Sequence, residues 1–394
     1  MRATTDTSPR AIRQLRHDPD QQPFLVIWEV TRSCDLVCTH CRADAISTRH
    51  PLELTLDEGR RLLGDIATFG PPRPLVVLTG GDPFARDDLE ELVRHGRGLG
   101  LSMALAPSVT PRLDRDVLTR MGQAGAKAFS LSLDGPDAPR HDSFRGVDGV
   151  FDATMDAAQM VHDLGLRLQV NSTVTRTTVE SLAGVLERVL DLDAFLWSVF
   201  FLVGTGRGSN LVPLSALETE DVLHWLVDVS SYLPVKTTEA PQFRRVVLQR
   251  RAAGDDDVVR RFGLGPTYVR LRGALDELVA ERSPERRRPR PPLDVNAGRG
   301  FVFVDHLGVV QPSGFLPLRA GSVRDTSIVE IYRRSPVMSA LRRPDGFGGR
   351  CGTCEFRTVC GGSRSRAYAS TGDYLAADMS CPYLPAGEAV AAGT

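Results

Sequence analysis

The 394-residue sequence has no apolar run of the roughly 20 residues that a membrane-spanning helix needs. The N-terminus is rich in Thr, Asp, Arg and Pro and lacks the apolar core of a secretory signal, so we expect a cytoplasmic protein that does not contact a membrane. The formal net charge is −1, and nothing in the overall charge therefore indicates binding to nucleic acid.

Cysteine is scarce, with seven residues in the chain. An odd number fits a disulfide framework poorly, and clustered cysteines in the cytoplasm more often bind metal or carry out redox chemistry. Hydrophobic residues make up 42% of the chain and charged residues 25%, which is ordinary for a globular protein. The length allows a large core and more than one domain.

Strand-like and helix-like segments alternate six times in the first part of the chain. The predicted strands are 24–30, 75–79, 101–106, 126–133, 166–174 and 196–203, and the predicted helices are 55–69, 86–99, 113–124, 150–164, 179–190 and 218–232. This alternation predicts an α/β fold of parallel βαβ units, too few for a closed eight-fold barrel but suited to a partial (β/α)6 barrel. In such folds the chemistry lies at the C-terminal ends of the strands.

We divide the chain into four segments. They are a polar, loosely ordered N-terminus (1–22), the barrel (23–235), a helical and basic connecting segment (236–296) and a small α+β domain (297–394). The last segment begins with a predicted β-hairpin over 301–311, and the arginine-rich run 286–292 before it is interpreted as a solvated linker.

The first group of cysteines follows the first predicted strand. Cys34, Cys38 and Cys41 are spaced C-x3-C-x2-C. Three thiolates can hold three irons of a cubane cluster and leave the fourth open to a small chelating molecule. A zinc knuckle or a chance grouping are the alternatives, although three ligands at this spacing do not complete a structural zinc site.

The remaining four cysteines form a second group near the C-terminus. Cys351, Cys354, Cys360 and Cys381 are spaced C-x2-C-x5-C-x20-C. Four thiolates are a complete ligand set for a closed iron–sulfur cluster, and a structural zinc site is the alternative.

The first group, placed directly after a strand, resembles the signature of the radical SAM superfamily, and the second resembles the SPASM or twitch extension of those proteins. The resemblance implies a [4Fe-4S] cluster that binds S-adenosylmethionine (SAM) at its open iron. It also implies an enzyme of the oxidoreductase or lyase type, which cleaves SAM reductively to a 5′-deoxyadenosyl radical and abstracts a hydrogen atom from its substrate. A reductant such as flavodoxin or ferredoxin is implied as a partner. Ser313 and Ser363 stand where some relatives have cysteine, so we predict one auxiliary [4Fe-4S] cluster.

The same resemblance assigns SAM contacts to residues at the strand ends. Gly80-Gly81-Asp82-Pro83 matches the Gly-Gly-Glu-Pro motif of the family, with Asp in place of Glu, and its glycines would let the main chain approach the methionyl amino group. The other predicted contacts are Ser132 and Asp134 for the ribose or methionyl group, Arg145 for the carboxylate, Asn171 and Thr173 for the ribose, and 200–203 for the adenine. Turn capping, a strand polar group, core packing or a surface charge are the alternatives for these residues. His40 is predicted to shield the cluster.

The stretch at His40-Cys41, the segment 236–245 and the tail 354–368 most resemble radical SAM proteins of heme biosynthesis, which act on tetrapyrrole side chains, often by oxidative decarboxylation. The candidates for binding substrate carboxylates are Lys236, Arg244, Arg245, Arg364 and Arg366, and each also fits a surface charge. The alternative substrate is a ribosomally synthesised peptide. The non-enzymatic alternative is a metal-cluster scaffold that binds a partner.

Overall fold

Seven parallel strands form the central sheet in the computed structural model, which describes residues 11–254 and 257–386. They are β1 (Leu25–Thr31), β2 (Leu75–Gly80), β3 (Ser102–Leu105), β4 (Ala126–Ser132), β5 (Arg167–Val174), β6 (Leu196–Phe201) and β7 (Val235–Thr238). Each strand pairs with the next one in the chain, and β1 does not pair with β7. The predicted α/β fold with an open, partial barrel is confirmed. The six predicted strands are present, whereas β7, which crosses the boundary predicted at residue 235, was not predicted.

Helices connect the strands and cover the outer face of the sheet. They are α1 (Leu56–Ala67), α2 (Leu89–Gly98), α3 (Arg115–Ala124), α4 (Ala138–Arg145), α5 (Val150–Asp163), α6 (Leu182–Asp191) and α7 (Ala216–Val229). The capping box predicted at the start of α1 is present, since Thr55 Oγ1 accepts from the Glu58 N–H and Glu58 Oε2 accepts from the Thr55 N–H, at 3.3 and 2.8 Å. The sequence did not predict α4, which is short and has no clear apolar face.

The two faces of the sheet have different surroundings. Outward side chains such as Val26, Trp28 and Trp197 are completely buried, and Trp197 packs edge to face on Trp225 of α7 with 6.0 Å between ring centroids. Side chains of the opposite face, for example Ile27 and Asn171, are only half buried. The sheet therefore curves around a partly open space, which we call the lumen, with this inner face as its wall.

The C-terminal segment continues the same sheet. Strand β9 (Gly300–Val304) pairs in parallel with β1, and β10 (Val309–Gln311) pairs antiparallel with β9, which confirms the predicted hairpin. The short strands β8 (Asn296–Ala297) and β11 (Gly321–Ser322) pair with β9 and β10. The pairing of β9 with β1 joins positions more than 270 residues apart, and local sequence patterns do not report such contacts.

Seven further helices belong to the second half of the chain. They are α8 (Gln242–Ala253), α9 (Val258–Phe262), α10 (Pro266–Arg282), α11 (Ile328–Arg334), α12 (Pro336–Leu341), α13 (Gly349–Thr353) and α14 (Arg364–Thr371). Helix α10 packs on α7, so the connecting segment covers the outside of the barrel. No helix in the described ranges is long and apolar enough to cross a membrane.

The predicted loose order of the N-terminus is wrong for residues 11–22. The Arg13 N–H donates to the carbonyl of Pro292 at 2.9 Å, and the Gln22 amide donates to the carbonyl of Gly70 at 3.1 Å. The Tyr332 hydroxyl donates to the carbonyl of Pro19. The prediction failed because the composition of a segment does not report which of its groups will form hydrogen bonds with residues distant in the sequence. Residues 1–10 lie outside the described residues.

Candidate active site

The first cysteine group lies on the loop that leaves β1, at the C-terminal edge of the parallel sheet. Cys34 and Cys38 are buried, Cys41 is half buried, and none of the three forms a disulfide. The backbone N–H groups of Leu36 and Ala45 donate to the sulfurs of Cys34 and Cys41 at 3.4 and 3.5 Å. Hydrogen bonds of this kind stabilise and tune the thiolates of iron–sulfur clusters.

The donor set fits a cluster better than a single metal ion. In a cubane each thiolate binds a different iron, so the sulfurs need not converge on one point. Within the described residues no three His, Cys, Asp or Glu side chains do converge on one point. Burial raises the pKa of the Cys34 thiol, and a bound metal centre offsets this cost because it stabilises the thiolate.

The Gly-Gly-Asp-Pro segment packs directly against the cysteine loop. A Cβ atom at Gly80 would stand 2.3 Å from the carbonyl oxygen of Thr31, and one at Gly81 would stand 2.4 Å from that of Ser33. The N–H groups of Gly81 and Asp82 donate to these two carbonyls at 2.9 and 2.6 Å. The glycines are therefore needed for the close approach of the two loops.

The Asp82 side chain is used inside the protein. It is fully buried, accepts a hydrogen bond from the Thr110 hydroxyl at 2.7 Å and caps the short turn at Pro83–Ala85 by accepting from the Phe84 N–H at 3.2 Å. Burial raises the pKa of this carboxyl group. The Asp82 carboxylate is thus engaged within the protein, and the SAM contact of this segment stays a prediction.

Ser108 joins the two loops, and sequence reasoning missed it. Its hydroxyl donates to the carbonyl of Gly81 at 2.7 Å and lies 3.4 Å from the sulfur of Cys34. The only signal in the sequence was its position just beyond the third predicted strand, where site residues of parallel α/β proteins gather.

Three predicted residues meet beside the cysteine loop. Asp134 follows β4, and its buried carboxylate accepts from the Thr173 N–H at 2.6 Å and forms an ion pair with Arg145. Arg145, the last residue of α4, also points Nη1 at the sulfur of Cys38 at 3.8 Å. Although burial acts to raise it, the charge of Arg145 holds the pKa of Asp134 below its usual value. Asp134 is therefore a positioning residue for Arg145 in this structure, and the SAM contacts of both stay predictions.

We expect the change Asp134→Asn to lower the free energy of unfolding by about 3–5 kcal/mol, since it leaves the buried guanidinium of Arg145 without its counter-charge. Anaerobic urea unfolding of the metal-free chain measures this. The control is Asp137→Asn three residues away, where the ion pair with Arg140 is exposed and Asn can still cap α4. Equal losses in the two variants would contradict the assignment.

The remaining predicted contacts on β4 to β6 are placed by strand register. Ser132 pairs with Asn171, and Thr173 pairs with Phe200, so all four side chains face the lumen. Asn171 Oδ1 accepts from the Gln169 amide at 2.7 Å. Within 200–203, Phe200 is half buried and the following three residues are buried. Only Phe200 of this segment thus remains open to the predicted adenine.

His40 stacks on Phe144 with 4.3 Å between ring centroids. Burial lowers its pKa to about 3, so the imidazole is neutral. A neutral, stacked ring next to Cys41 suits the predicted shielding role.

The second cysteine group surrounds one cavity. Cys351, Cys354, Cys360 and Cys381 line it together with Arg245 and Asp378. The N–H groups of Asp378, Phe356 and Gly362 donate to the sulfurs of Cys351, Cys354 and Cys360 at 3.3, 3.4 and 3.4 Å. Four thiols around one cavity with backbone donors fit a closed cluster.

The four arginines proposed to bind substrate carboxylates are engaged elsewhere. Arg244, Arg245, Arg364 and Arg366 are all buried, with 8% or less of their surface exposed. Arg244 donates to the carbonyls of Leu293, Val295 and Val359, Arg245 pairs with Glu220, Arg364 donates to the carbonyls of Gly362, Tyr374 and Ala376, and Arg366 pairs with Asp378. The structure contradicts the proposal for these four residues, because their guanidinium groups stabilise the C-terminal segment.

The two serines that replace cysteines share one carboxylate. Ser313 and Ser363 are each 2% exposed, and their hydroxyls donate to the two oxygens of Glu239 at 2.9 and 2.7 Å. Glu239 follows β7 and has a φ of +59°, a strained backbone conformation for a residue with a side chain. Glu239 therefore ties the end of the barrel sheet to two distant loops.

We expect Glu239→Ala to lower the free energy of unfolding by about 1–3 kcal/mol for each buried hydroxyl that loses its acceptor. Thermal and urea unfolding measure the change. Glu277→Ala, at an exposed position of α10, is the control and should stay within about 0.5 kcal/mol of the parent chain. A loss at Glu239 no larger than at Glu277 would show that the bridge does not stabilise the fold.

Proteins of similar sequence support the interpretation of this site as a cluster and SAM site. The sequence profile of the Radical SAM superfamily matches residues 28–189. The chain is 36% identical over 366 residues to the AdoMet-dependent heme synthase of Nitratidesulfovibrio vulgaris, covering 92% of both proteins. It is 34% identical to the AdoMet-dependent heme synthase of Methanosarcina barkeri, covering 92% of this chain and 97% of the relative.

Solved structures show the same fold. The crystal structure of Streptococcus suis SuiB bound to S-adenosylmethionine superposes with a TM-score of 0.66 and 12% identity, covering 92% of this chain and 78% of SuiB. The sequence relatives are named as synthases and cyclases, so the scaffold alternative is not supported. The chain belongs to the radical SAM superfamily, with the fold of its SPASM-type members, and is an enzyme that uses a [4Fe-4S] cluster and SAM.

Proposed function

We propose that this enzyme acts on carboxylate-bearing side chains of an iron tetrapyrrole and removes their carboxylate groups as CO2 by oxidative decarboxylation. The supporting observation is the similarity to AdoMet-dependent heme synthases, at 34–36% identity over 92% of the chain. The Fe-coproporphyrin III synthase of Methanosarcina barkeri, another protein named for a tetrapyrrole, is 28% identical over 93% of the chain.

The bound cluster and SAM would supply a 5′-deoxyadenosyl radical, which removes hydrogen from an unactivated carbon. For a propionate side chain, loss of one hydrogen atom, one CO2 and one electron leaves a vinyl group. The chain's own part is to hold the reactants and exclude water. A one-electron donor and a one-electron acceptor of the flavodoxin or ferredoxin class complete the reaction as partners, and we propose the cytoplasm as its location.

In this proposal Cys34, Cys38 and Cys41 hold the SAM-binding cluster, and the four C-terminal cysteines hold the auxiliary cluster. The main chain of Gly80 to Pro83 contacts the methionyl group, and Ser132, Asn171 and Thr173 contact the ribose. Arg145 is held by Asp134 at the sulfur of Cys38 and has a buried Nε atom that no described residue accepts from. We assign Arg145 to the SAM carboxylate because a guanidinium group can bind a carboxylate through two hydrogen bonds.

Incubation of the reconstituted full chain with SAM, dithionite and either Fe-coproporphyrin III or decarboxylated siroheme tests the substrate class. We expect the tetrapyrrole to lose one CO2 and two hydrogens for each side chain changed, measured by mass spectrometry, with 5′-deoxyadenosine formed in proportion. Formation of 5′-deoxyadenosine with no change in either tetrapyrrole would contradict the proposal.

Peptide maturation is the second candidate. The PqqA peptide cyclase of Rhodopseudomonas palustris is 28% identical over 370 residues, covering 92% of this chain and 88% of the relative. Because this identity is lower than the 34–36% to the heme synthases, we rank peptide maturation behind tetrapyrrole decarboxylation. Peptide-dependent stimulation of SAM cleavage, with no tetrapyrrole turnover, would reverse the order.

A further inference from the structure

The lumen wall has an apolar patch at the N-terminal ends of β1, β2 and β9. Farther along the same face lie the polar side chains of Glu29 and Thr79. Strands β1, β2 and β9 are register neighbours, and Leu25 pairs with both Leu75 and Phe301 while Ile27 pairs with Val77. These five lumen-facing side chains are only half buried, whereas the residues that alternate with them on β1 and β2 are completely buried under the helices. Large apolar side chains left partly exposed in a concave wall are typical of a ligand site.

The opposite side of the wall is polar. Register places Ser132, Asn171, Ser198 and Lys236 in one row across β4 to β7. The hydroxyls of Ser198 and Thr238 are 3.4 Å apart, which shows that β7 presents Thr238, and with it Lys236 two residues earlier, to the lumen. The row is therefore polar and ends in the ammonium group of Lys236.

Lys236 differs from the four arginines because the protein does not use its charge. Within the described residues its ammonium group makes no hydrogen bond and no ion pair, and the side chain is half buried. Burial lowers its pKa to about 8, and repulsion from Arg290 adds to this effect. A partly buried cation without a counter-ion is destabilised, and a ligand carboxylate would pair with it.

We infer that Lys236 binds a carboxylate of the substrate, while the apolar patch of the lumen wall contacts its hydrocarbon body. This inference rests on the proposed function, and it names the anchoring residue. Strands in a sheet are separated by about 4.8 Å, so Lys236 lies roughly 10 Å along the row from Asn171, the proposed ribose contact. A carboxylate held there would lie on the same row of the lumen wall as the proposed ribose contact.

Binding of Fe-coproporphyrin III and of its tetramethyl ester to the reconstituted full chain tests the inference, with the optical spectrum of the tetrapyrrole as the readout. We expect Lys236→Gln to weaken binding of the free acid by about tenfold or more and to leave binding of the ester unchanged. Lys236→Arg should retain most of the affinity for the acid, because the positive charge remains. Iron content equal to that of the parent protein shows that the variants are folded.

The pH dependence gives a second readout. Lys236 is charged below about pH 8, so affinity of the parent protein for the acid should fall as the pH rises through and above this value. Arginine stays charged, and Lys236→Arg should therefore show little change over the same range. Arg290 is the charged group that acts on Lys236 and does not titrate in this range.

The possible results distinguish a failure of the inference about Lys236 from a failure of the proposed function. Equal affinity of Lys236→Gln and the parent protein for the free acid overturns the inference and leaves the proposed function standing. If the parent protein neither binds nor alters the tetrapyrrole, the proposed function fails and the inference fails with it.

Discussion

Replacing Cys34, Cys38 or Cys41 by alanine is expected to reduce SAM cleavage to the background level. Each thiolate holds one iron of a cluster whose fourth iron must stay open for SAM, so the loss of one ligand removes the electron source for cleavage. The three cysteines lie on one loop with backbone donors directed at their sulfurs, and other potential iron ligands do not converge there among the described residues. Measurement of 5′-deoxyadenosine after addition of dithionite and SAM tests this expectation, and the iron content should fall by about four atoms per chain.

The matched control is Cys354→Ala, which changes a ligand of the second cysteine group. It should lose a similar amount of iron but retain the change in the electron paramagnetic resonance spectrum that SAM causes at the first cluster. If variants of all three N-terminal cysteines still produce 5′-deoxyadenosine, the assignment of the SAM-binding cluster is wrong. If Cys354→Ala abolishes the response to SAM, the two groups are not independent centres.

Gly81→Ala is expected to be nearly as damaging, although it removes no ligand. The new methyl group would stand 2.4 Å from the carbonyl oxygen of Ser33 and 2.7 Å from that of Arg32. Both are backbone atoms of the cysteine loop, so the loop itself must move, and Cys34 moves with it. We expect most of the SAM-binding cluster to be lost. We also expect SAM cleavage to fall at least about 100-fold, because a displacement of catalytic groups by about 1 Å can cost that much in rate.

Gly64→Ala is the control for this change. Gly64 lies in α1, and a Cβ atom there meets nothing within 4 Å. Alanine is favoured over glycine in a helix by up to about 1 kcal/mol, so this variant should be equally or more stable and should keep its cluster. Normal iron content and normal SAM cleavage in Gly81→Ala would show that the two loops do not depend on their close contact.

Local patterns were sufficient for most of the barrel. The six predicted strands and their helices rest on apolar periodicity and on caps such as Thr55, and these signals act within a few residues along the chain. The missed elements lack such signals. Strand β7 has a single apolar residue, Val235, among its four, and α4 owes its start to Asp137 and Pro139 more than to an apolar face. Their positions depend on neighbours that the local sequence does not report.

The chemistry of the ligands was encoded in the sequence, since the number and spacing of thiols restrict which metal centre a loop can hold. The tertiary structure was needed to assign the charges, because whether a cation serves the fold or a ligand depends on which partners meet it in space. The four arginines form hydrogen bonds or ion pairs with carbonyls and carboxylates inside the protein, whereas the Lys236 ammonium group has no such partner among the described residues. The same holds for Ser313 and Ser363, whose shared acceptor Glu239 lies 74 and 124 residues away.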